Sequence, residues 1–282
     1  MPRITINNTP LDVPEGISIL DAAKTHNISI PTLCHYPDLK INSDCRICVV
    51  ELKGERMLKT SCSTPVKEGM EIVTNSPRVL QARKTITELI LSSHDADCTA
   101  CTRNMRCELQ TLAKTLGIDS NRFTTTFKAM PIDDHNPSLV RNMNRCIKCG
   151  RCVDVCEHIQ GMNVLKRNGR SHTMQITPPF NQSLNDEICT FCGQCANVCP
   201  VGAIMEKDDT QMVWENLHNP QKRTLVQVAP AVRVSIGESF HSETDTVPIG
   251  KLVSALKHLG FDEVYDTNFT ADLTQLWKKA VN

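Results

Sequence analysis

Hydrophobic and polar positions alternate along Arg3-Ile4-Thr5-Ile6 and again along Leu11-Asp12-Val13, the period of half-buried strands, with Asn7-Asn8 between them as a turn signal. Ser18 stands where it can cap a helix running to about Asn27. Val49-Val50-Glu51-Leu52, Lys53-Gly54 and Arg56-Met57-Leu58 predict a hairpin. Ser76-Pro77 opens a helix with a cap and a proline in its first turn. Its apolar face is Val79, Ile86, Leu89 and Ile90, and it runs out at Ser92-Ser93-His94-Asp95. A shorter helix from Glu108 to Leu116 stops at Gly117, and Arg167-Asn168-Gly169 marks a second hairpin. Towards the C-terminus, Thr224 to Val228 reads as a buried-type strand. Pro248 starts a helix with Ile249, Leu252, Val253, Leu256 and Leu259 on one face, ended by Gly260. Val264-Tyr265 is a second short strand, and Leu273, Leu276, Trp277 and Ala280 form a last helical stripe. These periods predict an α+β chain built of several modules.

Composition then narrows the chemistry. The 282 residues carry 31 Lys+Arg against 31 Asp+Glu, so no large basic surface points to nucleic acid. Aromatics are 4%, too few for base-stacking platforms. No secretory h-region follows Met1-Pro2-Arg3, and no apolar run approaches the length of a membrane span. A cytoplasmic, membrane-free protein is expected. Neither G-x-G-x-x-G nor G-x-x-x-x-G-K occurs, so no nucleotide or flavin site is expected in this chain. What stands out is 15 cysteines, an odd number in a chain whose thiols are expected to stay reduced; the pattern points to metal rather than disulfides.

The cysteines fall into clumps of four, three, four and four. Cys34, Cys45, Cys48 and Cys62 are spaced C-x10-C-x2-C-x13-C, a variant of the plant-type 2Fe–2S pattern on a strand–strand–helix–loop–strand layout that predicts a β-grasp ferredoxin. Four thiolates also suit structural zinc, although a ten-residue ligand loop ending in Cys45-Arg46-Ile47-Cys48 is atypical of it. Cys146, Cys149, Cys152, Cys156 and Cys189, Cys192, Cys195, Cys199 each read C-x2-C-x2-C-x3-C, the two-cluster bacterial ferredoxin run in which the fourth cysteine ligates the other cluster. One 4Fe–4S cluster is therefore assigned to Cys146, Cys149, Cys152 and Cys199, the other to Cys189, Cys192, Cys195 and Cys156. Glu157 replaces the proline expected after Cys156, a departure that bears on the local turn. The 32 residues between Cys156 and Cys189 are an insertion. Cys98, Cys101 and Cys107 lack a fourth ligand. His94 supplies one in the pattern H-x3-C-x2-C-x5-C, three cysteines with water being the competing arrangement.

These motifs resemble the N-terminal iron–sulfur region shared by FeFe-hydrogenases and the large iron–sulfur subunit of respiratory complex I. The resemblance rests on Pro31-Thr32-Leu33-Cys34, Cys45-Arg46-Ile47-Cys48-Val49-Val50-Glu51-Leu52, Cys107-Glu108-Leu109-Gln110, Cys146-Ile147-Lys148-Cys149-Gly150-Arg151-Cys152 and Cys192-Gly193-Gln194-Cys195. His94, Cys98, Cys101 and Cys107 match the family's histidine-ligated 4Fe–4S site, though Asn104-Met105-Arg106 lacks the glycine common before its last cysteine. Lys222 to Arg233, Gly250 to Asp262 and Val264 to Thr267 resemble the opening of the hydrogenase H-cluster domain, while the 83 residues after Cys199 hold no cysteine for such a cluster.

The resemblance implies four modules. These are a β-grasp 2Fe–2S domain at 1–75, a helical His/Cys3 4Fe–4S module at 76–118, a two-cluster 4Fe–4S domain at 119–220, and a small truncated α/β hydrogenase-like piece at 221–282. One 2Fe–2S and three 4Fe–4S clusters would make the chain an electron relay with no complete active site of its own. It would serve a soluble, anaerobic NAD(P)-linked oxidoreductase such as an electron-bifurcating ferredoxin:NAD(P) transhydrogenase. Its partners would be a flavoprotein NAD(P)-binding iron–sulfur subunit, a small 2Fe–2S subunit and soluble ferredoxin. An NAD-linked formate dehydrogenase or hydrogenase complex, a free multicluster carrier and a zinc-binding structural module are the other classes open.

Overall fold

The structure, a computed structural model, describes residues 1–123, 129–170, 173–239 and 249–281, which divide into compact units at 1–207 and 208–282. The first unit opens with β1 (Arg3–Ile6) and β2 (Thr9–Asp12), antiparallel with Ile4 opposite Leu11. Asn7 and Asn8 both take positive φ in the two-residue turn, as a hairpin of this twist requires. Then come α1 (Ile19–Thr25), β3 (Val49–Leu52), β4 (Lys59–Thr60) and β5 (Glu71–Val73). The Ser18 hydroxyl accepts from the Asp21 amide at 3.1 Å, capping α1. The sheet order is β2-β1-β5-β3-β4, with β1 and β5 parallel. Ile4, Ile6, Ile19, Ala22, Val50 and Ile72 fill its core, and Cys48 and Cys62 are part of that same cluster.

The expected second strand of the β3 hairpin is displaced. Residues 56–58 form no strand, and Lys59–Thr60 pair with β3 instead, Val49 opposite Thr60. The carbonyl of Arg56 is taken by the Arg78 guanidinium, so this stretch turns towards the following helix rather than towards β3.

That helix, α2 (Pro77–Ser92), starts at Ser76, whose hydroxyl accepts from the Val79 amide. Its buried face departs from the apolar stripe read from the sequence. Val79 is buried and Ile86 and Ile90 pack partly, but Leu89 is 50% exposed while Arg83, Thr87 and Glu88 are buried. The polar groups are satisfied: Arg83 reaches backbone carbonyls, Thr87 donates to the Arg83 carbonyl, and Glu88 accepts from Arg122.

After α3 (Glu108–Thr115), β6 (Leu139–Arg141) pairs with β9 (Ile204–Glu206), closing a small domain around α4 (Arg151–Asp154) and α5 (Gln194–Asn197). β7 (Lys166–Asn168) and β8 (Gln175–Thr177) form the expected hairpin in the insertion. The insertion is more than a loop: its Val164, Leu165, Ile176 and Leu184 lie in the domain's core with Leu139, Cys152 and Ala196. Glu157 acts as its replacement of proline suggests. The chain continues past α4 into a π turn over Val155–Ile159, where a proline would have removed a donor, and Glu157 pairs with Lys166 at 3.0 Å.

The second unit contains α6 (Thr210–Leu217), β10 (Leu225–Val228), α7 (Pro230–Ser239), α8 (Ile249–Leu259), β11 (Glu263–Asp266) and α9 (Thr267–Val281). β10 and β11 are parallel neighbours in a two-stranded sheet. β10 is not the buried strand expected; Leu225 is 58% exposed. Leu252 is the one buried hydrophobic side chain among the described residues of this unit, and Leu273, Leu276 and Trp277 of α9 are exposed. Pro248 and the side chain of Ala280 lie outside the described residues. No described helix is long and apolar enough to cross a membrane.

Candidate iron–sulfur centres

The two C-x2-C-x2-C loops are backbone copies. Lys148 and Phe191, each one residue before the middle cysteine, take positive φ, and Gly150 and Gly193 do so one residue after it. The amides of Lys148 and Phe191 donate to the sulfurs of Cys146 and Cys189 at 3.4 and 3.5 Å. Holding a lysine and a phenylalanine in this region is unfavourable without compensation; the return is an amide aimed at sulfur, the donor a thiolate needs. The Arg167 guanidinium lies directly over Gly150.

Around these loops lie two cavities. One is lined by Cys146, Cys149, Cys152 and Cys199 and closed by Ile147, Ile176, Val201 and Ile204. The other is lined by Cys156, Cys189, Cys192 and Cys195 with Val164, Leu165 and Leu184. The fourth cysteine of each run thus lines the other run's cavity. Of the cysteines lining the second, Cys192 is exposed.

Cys48 and Cys62 sulfurs lie 3.4 Å apart, with the Ser43 hydroxyl 3.5 Å from Cys62. Cys34 and Cys45 form a second close thiol pair. The Cys48 thiol, with help from Ser43, holds Cys62 down to about 6, while its own value is driven up by that same hydrogen bond and by burial. Arg83 fixes the segment carrying Cys48, donating to the Ile47 and Val49 carbonyls at 3.0 and 2.7 Å. Its role was not read from the sequence; the available signal was a cation at helical spacing within the apolar stripe.

Cys98, Cys101 and Cys107 lie within electrostatic reach of one another, and burial raises the Cys107 thiol. His94 follows α2, its amide bonded to the Leu91 carbonyl at 3.2 Å. Its Nδ1 is buried with no hydrogen-bond partner, and burial lowers the imidazole's pKa, keeping it neutral. Asp95 is tied to Asn144 at 2.9 Å, and Arg145 lies 3.5 Å from Asp95, so the segment is held against the residues preceding Cys146.

The residues fit iron–sulfur groups on chemical grounds. Burial pushes the Cys146 thiol to about 11 and Cys195 to about 12, and raises Cys149 and Cys152 as well. Thiolates are stable in such dry cavities only opposite a positive centre, which ferric and ferrous ions provide. The unpartnered Nδ1 of His94 is a free donor of the kind a metal takes. Among the described residues, no three His, Cys, Asp or Glu side chains converge as a single metal ion would require.

The sites share a core. Leu33, Cys45 and Ile47 beside the 2Fe–2S thiols, Cys107, Leu109 and Leu112 of the next module, and Cys146, Cys199 and Val201 belong to one hydrophobic cluster. Gly202 sits against the Cys101 sulfur, where a Cβ would come within 2.7 Å, and the Glu108 amide donates to the Pro200 carbonyl at 3.0 Å. The long loop between Cys34 and Cys45 is pinned through Asn42 to Asp154 and through Asp44 to Arg167.

His94 ligation has a direct test. His94→Cys is expected to retain a 4Fe–4S cluster at lower potential, because an anionic thiolate replaces a neutral imidazole, and His94→Ala to lose that cluster alone. EPR-monitored redox titration reads both; spectra and potentials unchanged in the two variants would make His94 a helix-end residue only.

Four protein families match in chain order. Residues 2–77 match the 2Fe-2S iron-sulfur cluster binding domain, and 83–122 the NADH-ubiquinone oxidoreductase-G iron-sulfur binding region. Residues 136–205 match the NADH-quinone oxidoreductase subunit 3 ferredoxin-like domain, and 222–280 the C-terminal domain of the iron only hydrogenase large subunit. Among curated proteins, the NADP-reducing hydrogenase subunit HndD of Solidesulfovibrio fructosivorans is 46% identical over 279 residues, covering 97% of this chain and 48% of that protein. Iron hydrogenase 1 of Clostridium pasteurianum is 35% identical over 281 residues, again 97% and 48%. The chain therefore spans about half the length of these relatives. A crystal structure of an NAD+-reducing NiFe-hydrogenase in the H2-reduced state superposes with a TM-score of 0.69 at 29% identity, over 73% of this chain and 87% of that one. With a 2Fe–2S ferredoxin domain, 4Fe–4S binding regions and a hydrogenase-like C-terminal piece in this order, the chain is hydrogenase-like across its iron–sulfur regions.

Proposed function

We propose that the chain is the electron-transfer iron–sulfur subunit of a multi-subunit, flavin-based NAD(P)-linked oxidoreductase, with electron-bifurcating ferredoxin:NAD(P) transhydrogenation as its reaction. When bound, iron–sulfur clusters supply one-electron transfer, so the two-electron chemistry of a nicotinamide belongs to a flavoprotein partner. A small 2Fe–2S subunit and soluble ferredoxin complete the set. One 2Fe–2S cluster on Cys34, Cys45, Cys48 and Cys62 and three 4Fe–4S clusters on the ligand sets given above are part of this reading.

The observation that carries it is the shared core. Ligand-bearing segments of three sites pack in one hydrophobic cluster, an arrangement suited to relaying electrons between fixed sites rather than to separate carriers. The names of the relatives, an NADP-reducing hydrogenase subunit among them, support the nicotinamide link. Within this reading the protein's own residues exclude water from the inner sites, supply amide donors to sulfur at Lys148 and Phe191, and hold the sites in register.

Affinity purification of the tagged chain from its native host, with anaerobic mixing against NADH and NADPH, tests it. The expected result is a co-purifying flavoprotein and bleaching of the chain's visible absorption by a pyridine nucleotide only when that flavoprotein is present. A chain that purifies alone and passes electrons without flavoprotein would be a free carrier.

A further inference from the structure

Arg151 stands within Cys149-Gly150-Arg151-Cys152, and its side chain is only 3% exposed. It makes a bidentate pair with Glu108, at 2.7 and 2.8 Å. The guanidinium also donates to the His35 carbonyl at 3.0 Å and to the Val198 carbonyl at 3.5 Å, and stacks 5.3 Å from the Tyr36 ring centre. His35 follows Cys34, Val198 precedes Cys199, and Glu108 follows Cys107. One side chain thus touches the neighbours of ligands in three sites. The thiols acting on it electrostatically are Cys149 of the first 4Fe–4S site and Cys34 of the 2Fe–2S site. Glu108, half-exposed, is the residue next to the histidine-module ligand Cys107.

As a stabilising device such a pair is weak, since taking the guanidinium out of water costs much of what pairing with the half-exposed carboxylate returns. As a source of field its buried guanidinium is effective, because a charge in a low-dielectric interior acts with little screening, while the half-exposed Glu108 carboxylate acts more weakly. We propose that the Arg151–Glu108 pair is an oriented charge couple that sets the order of potentials along the relay. Its positive end raises the 2Fe–2S and first 4Fe–4S sites, and its negative end lowers the histidine-module site. A cation favours the added electron and an anion opposes it. Arg151 and Glu108 are positioning residues, not ligands. This inference rests on the cluster assignment proposed above.

Redox titrations of the full chain, followed by EPR with iron content measured on the same samples, test it. Arg151→Gln is expected to bind full iron while shifting the reduction equilibria of the 2Fe–2S and first 4Fe–4S sites downward by tenfold or more, about 59 mV for one electron. Arg151→Lys is expected to keep most of the wild-type value, because the charge stays. Glu108→Gln is expected to shift the histidine-module site upward. The outer site of Cys156, Cys189, Cys192 and Cys195 serves as an internal control and is expected not to move. Full iron with unmoved midpoints in Arg151→Gln and Glu108→Gln would overturn the inference. So would a Lys variant that behaves as the Gln variant. If Arg151→Gln fails to fold, Glu108→Gln decides alone, an upward shift supporting the couple and no shift refuting it. Absence of the clusters in the wild-type chain would sink the cluster assignment itself, a distinct result.

Discussion

Cys199→Ala should remove one 4Fe–4S cluster, about four iron per chain, and that cluster should be the one tied to Cys146, Cys149 and Cys152 rather than the one tied to its own run. The reason is geometric. Cys199 lines the cavity of the first run, whereas Cys189, Cys192 and Cys195 line the second cavity with Cys156. Cys199 is also part of the core that joins three sites, where it packs with Leu33, Leu109 and Val201. Its loss would leave three buried thiols, each pushed upward by burial, without the positive centre that makes their thiolates tolerable. Cys149→Ala should give the same EPR spectrum as Cys199→Ala, and Cys156→Ala the complementary one. Matching spectra for Cys199→Ala and Cys192→Ala would contradict the crossed ligation.

Arg83→Met should give the second largest effect, on retention of the 2Fe–2S cluster. Arg83 is 4% exposed and donates to the carbonyls of Ile47 and Val49, on either side of Cys48. Methionine keeps much of the packing volume but leaves both acceptors buried and unpaired, at about 1–3 kcal/mol each. Relief of the desolvated charge offsets part of this. The net expected loss is about 2 kcal/mol, roughly thirtyfold in the opening equilibrium of this segment. Anaerobic chelator-driven bleaching of the 2Fe–2S absorption should therefore run about thirtyfold faster than in the parent, with the 4Fe–4S signals lagging. Equal bleaching rates would show that the segment holding Cys48 does not depend on Arg83.

What the sequence made legible follows from how local each signal is. The first hairpin and the Ser18 and Ser76 caps depend on neighbours in the chain and are found where the periods put them. The cysteine spacings carried still more, because a turn that aims two thiols at one centre has few backbone solutions; the matching positive φ at Lys148 and Phe191 shows that repeat in the fold. Features made by distant segments were hidden. The α2 face looked apolar through Leu89, but the partners of Arg83 and Glu88 lie at Ile47, Val49 and Arg122, so a polar stripe is buried instead. The strand after Gly54 shifted because Arg78 claims the Arg56 carbonyl. The insertion read as a loop with a hairpin, yet it furnishes Val164, Leu165, Ile176 and Leu184 to the core, a role its short apolar pairs do not announce. In the last unit the apolar periods were read correctly as helices, but not the exposure of their faces.

The central claim is that four cluster sites lie in this one chain. Iron and acid-labile sulfide, determined per chain on anaerobically purified protein with zinc measured in parallel, test it most directly. The account predicts about 14 iron with matching sulfide, the content of one 2Fe–2S and three 4Fe–4S clusters. Stoichiometric zinc, or iron near about eight per chain, would contradict it.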